Sequence, residues 1–150
     1  MTVFNEAYLL EHCIEKADGA VLNGSDDLFI ITGAPILVTM FVGIVTTVIG
    51  ANVATCRIDH TTVEPAGTVA LSTDVAITDD AVGVSYTFTA VNPSVFTPTD
   101  VGTLGVVPVI AWLCPIGTLK ATCSAANTGN IKWYMVYKPL SPKSLVVVAP

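Results

Sequence analysis

The sequence predicts an all-β domain, an antiparallel β-sandwich or jelly-roll-like barrel with a short N-terminal helix or arm and an apolar C-terminal tail. Three observations lead there. Short runs rich in Val, Ile and Thr recur at intervals of about ten residues, the spacing of strands in sandwiches and barrels. Turn-forming clusters separate these runs, and the nine prolines fall almost entirely at such points. No helical period of useful length returns after residue 20.

Taken in order, the first element is the acidic segment 1–27. MTVFNEAYLLEHCIEK lacks a basic start and carries three glutamates, so it does not read as a secretion signal. Leu10, Cys13, Ile14 and Ala17 fall at i, i+3, i+4 and i+7 and predict an amphipathic helix, with Asn5 as its cap and Gly19 as its stop. An arm that becomes helical only on docking fits equally. Residues 28–49 (LFIITGAPILVTMFVGIVTTVI) carry no charge and are long enough to span a bilayer. The Gly33-Ala34-Pro35 interruption, the load of β-branched residues and the absence of a basic flank count against a membrane helix. The run is expected to form two buried strands around residues 33–35 and Gly43.

Further strands are predicted at 51–59, 68–77 and 84–91, the last with Val84, Tyr86, Phe88 and Ala90 on one face. Three more follow at 106–112, 118–124 and 131–137. Turns separate them at 65–67, 79–80, 92–94, 114–117 and 127–130. Ser141-Pro142-Lys143-Ser144 reads as a short linker before Leu145-Val146-Val147-Val148. That apolar end is either the last strand of the domain or an arm that adds to a neighbour's sheet. The resulting division is an arm or helix at 1–27, a β-sandwich at 28–140 and a tail at 141–150. There is no internal repeat.

Charge sets the expectation for partners. Only 12% of the residues are charged, about half the share usual in soluble domains. Spread over the roughly 7,000 Å² expected for this mass, such sparse charge implies that neighbours cover part of the surface. A net charge of −6 with six basic residues argues against nucleic acid as a ligand. The acids gather early, at Glu6, Glu11, Glu15, Asp18, Asp26 and Asp27, and the lysines late, at Lys120, Lys132, Lys138 and Lys143. That asymmetry either steers head-to-tail contacts or marks plain solvated faces.

Chemistry-bearing residues are thin. Cys13, Cys56, Cys114 and Cys123 show neither CxxC nor zinc-finger spacing and read as buried reduced thiols, as in a reducing cytosol. Cys114 and Cys123 sit unequally about a Pro-Ile-Gly turn and are not expected to face one another. His12 and His60 accompany no nucleophile elbow, HExxH or phosphate-binding loop, and read as surface or loop residues. Asp74, Asp79 and Asp80 are the best metal candidate, for calcium, but match no EF-hand and read equally as a turn. On an alternating strand Trp133, Met135 and Tyr137 point one way and fill the core, while Tyr134 and Val136 point the other. No catalytic residue, metal site or cofactor is assigned.

Two stretches carry a resemblance. One joins Gly33-Ala34-Pro35-Ile36-Leu37 to Gly43-Ile44-Val45-Thr46-Thr47-Val48-Ile49-Gly50. The other joins Cys114-Pro115-Ile116-Gly117-Thr118-Leu119 to Asn127-Thr128-Gly129-Asn130-Ile131-Lys132-Trp133-Tyr134-Met135-Val136-Tyr137-Lys138-Pro139-Leu140. Over residues 28–140 the chain resembles small virion structural proteins of tailed bacteriophages. It departs from them in its longer acidic N-terminal segment and apolar tail. The resemblance implies a non-enzymatic capsid decoration or cement protein on the capsid exterior, assembled in the host cytoplasm. Its partners would be itself, as dimer or trimer, and the major capsid protein, with neither nucleic acid nor membrane bound. Phe4, Tyr8, Leu145, Val146, Val147 and Val148 are the expected subunit contacts. The alternatives are a receptor- or carbohydrate-binding β-module of a tail or cell surface using an exposed Trp133, a small hydrolase with a non-local site, and a membrane protein.

Overall fold

Two antiparallel sheets packed face to face hold the strands of the described residues. The structure, a computed structural model, describes residues 10–21, 23–88, 96–99 and 111–150, with 96–99 followed as backbone only. The strands are β1 (His12–Ala20), β2 (Gly24–Thr32), β3 (Ile36–Thr47), β4 (Thr55–Thr62), β5 (Gly67–Ala70) and β6 (Val75–Ala76). Then come β7 (Ser85–Phe88), β8 (Phe96–Thr99), β9 (Trp112–Cys114), β10 (Gly117–Cys123), β11 (Asn130–Pro139) and β12 (Leu145–Val148). The first sheet runs β1-β11-β3-β7-β8, with β9 also on β3; the second runs β12-β2-β10-β4-β5, with β6 also on β4. No helix among the described residues is long and apolar enough to cross a membrane.

Alternation places the core. Along β11, Ile131, Trp133, Met135 and Tyr137 are buried while the residues between them are not. β10 alternates in the same sense, burying Gly117, Leu119, Ala121 and Cys123. Phe41 of β3 lies at the centre of the core, edge-on to Phe29 of the opposite sheet at 6.0 Å and to Phe88 at 5.6 Å, and 5.6 Å from Trp133. Such edge contacts add to area burial between large rings. Gly43 stands opposite Trp133, and its missing side chain makes room for that indole.

The charge-free run 28–49 is the end of β2 and the whole of β3, crossing from one sheet to the other through residues 33–35. Gly33 turns there with φ 77°, a conformation glycine adopts without the Cβ penalty. The 141–144 segment makes the reverse crossing beside it. Ser144 N donates to Ser141 O at 3.0 Å, and Ser144 Oγ donates to Pro35 O at 2.8 Å.

Two expectations are corrected. The segment predicted as an N-terminal helix is strand β1 from His12 to Ala20, paired with β11 from His12↔Tyr137 to Ala20↔Asn130. The helical spacing of Leu10, Cys13, Ile14 and Ala17 is too short to stand alone, and the open edge of β11 supplies a ladder in its place. Gly19 ends no helix; it lies where the β1 register shifts. Of the two readings of the apolar end, the last strand of the domain holds and the separate tail at 141–150 does not. Leu145–Val148 pairs with β2 of its own chain, Leu145↔Thr32 to Val148↔Phe29, because a β-branched run has a free sheet edge within reach. The boundary drawn between residues 27 and 28 falls inside β2.

Candidate functional site

The edge strand β12 is the surface on which association is expected. Val146 turns inward opposite Ile31 and is buried. Leu145 and Val147 turn outward, 55% and 40% exposed, in register with Thr32 and Ile30. The ladder with β2 also fixes the backbone. Ala149 N donates to Leu28 O at 3.0 Å, one step beyond the last register pair. Hydrogen-bonded pairs alternate, so Leu145 and Val147 bond toward β2, and the N–H and C=O groups of Val146 and Val148 point away from it. No strand among the described residues pairs with that side. Edge strands are usually guarded by a charge, a proline or a bulge. Leu145–Val148 contains none of these; Lys143 and Pro150 stand one residue beyond its flanks, Ser144 and Ala149. Lys16 of β1 holds the end down, donating from Nζ to Ala149 O at 2.7 Å and Pro150 O at 3.2 Å. Phe4 and Tyr8, the other expected contacts, lie outside the described residues.

The interior polar groups were candidates for chemistry. His60 is buried, contrary to its reading as a surface or loop residue, and its Nε2 lies 3.9 Å from Cys114 Sγ. Burial lowers the His60 pKa against an opposing hydrogen bond to the Pro115 carbonyl, and burial pushes the Cys114 thiol up to about 12. Both groups are thus held neutral, the reverse of a thiolate–imidazolium nucleophile. Asp59 is a buried carboxylate of β4 held by Arg57 Nε at 2.9 Å and by Thr122 Oγ1 at 2.6 Å. The acids suggested for calcium separate: Asp74 pairs with Arg57 at 3.6 Å, and Asp80 accepts from the Tyr86 hydroxyl. Among the described residues no three His, Cys, Asp or Glu side chains converge on a cation. Asp79, at φ 62°, sits in the turn expected there.

Trp133 is only 3% exposed and faces the core, which leaves no free ring for stacking on a sugar. Tyr134 points outward and carries Lys132 Nζ 5.6 Å from its ring centre.

Spacing alone missed one arrangement. Cys13 is exposed, whereas Cys56, Cys114 and Cys123 are buried, and all four are free thiols. Cys123 faces Cys56 across the β4–β10 ladder, while Cys114 lies on β9 opposite Ile36. Cys56 and Cys123 were expected to be buried; the register that makes them neighbours is written nowhere in the sequence. Comparison with protein-family models, with curated proteins and with solved structures finds no match for this chain.

Proposed function

We propose that this chain is a non-enzymatic structural module that associates with copies of itself through the free edge of β12. In that reading it serves as a capsid decoration or cement protein, bound to a major capsid lattice on the head exterior of a tailed bacteriophage. The observation that carries self-association is the uncharged strand β12, whose outer edge no strand among the described residues pairs with, with Leu145 and Val147 outward and the backbone groups of Val146 and Val148 directed away from β2. Two such edges related by a two-fold axis pair antiparallel, continuing the second sheet from one copy into the next. The contact is self-complementary and closes at a dimer. Its driving force is apolar burial, about 25 cal/mol per Å², set against the ordering cost of association. The virion assignment rests on the resemblance of residues 28–140, and a charge content of 12% suits a protein whose surface is covered in its assembly.

Sedimentation equilibrium tests the first part. The wild-type chain is expected to dimerise, and Leu145→Lys combined with Val147→Lys to weaken the dimer by at least about tenfold, since like charges then stand close together across the new strand pair. A wild-type chain that stays monomeric at about 50 μM, a concentration that would populate a micromolar dimer, overturns self-association. Co-sedimentation with intact virions at a fixed ratio to the major shell subunit tests the second part. Absence from the particles removes the virion role and leaves the dimer standing.

A further inference from the structure

Cys56 on β4 and Cys123 on β10 are direct cross-strand neighbours on the inner face of the second sheet, 1% and 7% exposed. The ladder defines their pair type. One step beyond its two ends, Ser124 N donates to Thr55 O at 2.9 Å and Val63 N donates to Ile116 O at 3.2 Å. Each bond joins residues that stand directly opposite, so the hydrogen-bonded pairs fall at odd positions of β4. Cys56 and Cys123 therefore occupy a non-hydrogen-bonded pair, in which Cα atoms lie about 4.5 Å apart and side chains approach most closely. That spacing is at the short end of the roughly 4.4–6.8 Å range that a disulfide bridges. Each thiol is the group that most strongly shifts the other's pKa, as close neighbours do.

We propose that Cys56 and Cys123 form an oxidation site, a buried dithiol that closes to an intramolecular disulfide when a peroxide reaches it and reopens on reduction. Access comes through a small cleft lined by Gly19, Asp26, Cys56, Cys123 and Trp133, with room for about one or two waters, which suits hydrogen peroxide and excludes a bulky disulfide oxidant. Cys123 is the attacking sulfur. The neighbouring Cys56 thiol lowers its pKa against the opposing effect of burial, while Cys123 and burial raise that of Cys56. The Cys123 thiolate takes one oxygen from the peroxide, breaking the O–O bond, to give a sulfenic acid and hydroxide, which picks up a proton to become water. The Cys56 sulfur then attacks the Cys123 sulfur, the S–O bond breaks, and a second water leaves with the Cys56 proton. In balance, two thiols and one peroxide become one disulfide and two waters. A dithiol reductant is too large for the cleft and reaches the bridge when the β4–β10 ladder opens locally. The chemistry is independent of β12, because both sulfurs face the interior.

The test treats the native full-length chain with hydrogen peroxide, then denatures, alkylates and digests it for mass spectrometry. A peptide pair joined through Cys56 and Cys123 is expected, split by dithiothreitol. The thermal midpoint is expected to rise by about 5–10 °C, as for closure of a long loop, and to return on reduction. Cys13→Ser removes cross-links between molecules through the exposed thiol without touching the site. Cys123 carried on to sulfinic acid with Cys56 still reduced would overturn the proposal. So would a Cys56–Cys123 pair that stays reduced under conditions that oxidise Cys13.

Discussion

Gly43 and His60 carry the sharpest consequences at the scale of single residues. A Cβ added at Gly43 would meet the Trp133 ring at 2.5 Å, and that ring is packed against Phe41 and is 6.5 Å from Tyr86. Gly43→Ala is expected to cost about 1–3 kcal/mol in urea unfolding, the usual effect of overpacking a core. At His60 the folded-state pKa is lowered, so the unfolded chain takes up its proton first as pH falls through about 6.5. Stability is then lost on acidification from about 6.5 down to the lowered folded value, with a slope of at most about 1.4 kcal/mol per pH unit for one proton. Urea midpoints between pH 7.5 and 5.5 measure this, and His60→Gln is expected to flatten the dependence. The inward direction of Trp133 and Met135 was legible from alternation, whereas the burial of His60 was not. Its depth depends on β10 and β9 closing around it, and they are distant in the chain.

Among the elements, β1 and β12 show where sequence reasoning stops. A nine-residue segment with three or four apolar positions satisfies a helical and an extended pattern about equally, and the choice passes to whichever neighbour offers backbone partners. β11 offers them. For β12 the β-branched run made a strand predictable, but the identity of the receiving sheet edge was open until its register with β2 was seen. The two faces of β12 separate folding from association. Val146→Asp, at a buried position, is expected to destabilise the monomer by about 2 kcal/mol or more through an unpaired buried charge. Leu145→Lys, at an exposed position, is expected to stay within about 0.5 kcal/mol of wild type. Chemical denaturation of both variants checks the contrast.

Over the whole molecule, the separation of early acids from late lysines resolves within the chain. β1 lies beside β11 and β2 beside β10, so Lys132 meets Glu15 at 3.1 Å, Lys138 meets Glu11 at 3.4 Å and Lys120 meets Asp27 at 3.0 Å. These are partly exposed pairs that add little stability, yet they occupy three of the four late lysines that a head-to-tail contact would have used. Association through the apolar β12 edge is accordingly expected to change little between 50 and 500 mM salt. A charge-steered contact would weaken steeply over that range, and sedimentation at the two salt levels distinguishes them.

By itself the sequence determined an all-β chain, most of the strands among the described residues, several of the turns between them and which side of β11 faces inward. Those features depend on local chemistry: alternation with a period of two, β-branched side chains, and Gly or Pro where the chain must turn. Only the tertiary structure decided that 12–20 is a strand, that the apolar end folds back on β2, and that Cys56 lies against Cys123. Each of these depends on register between segments far apart in the chain, and register is set by the fit of whole faces and edges, which no local pattern encodes.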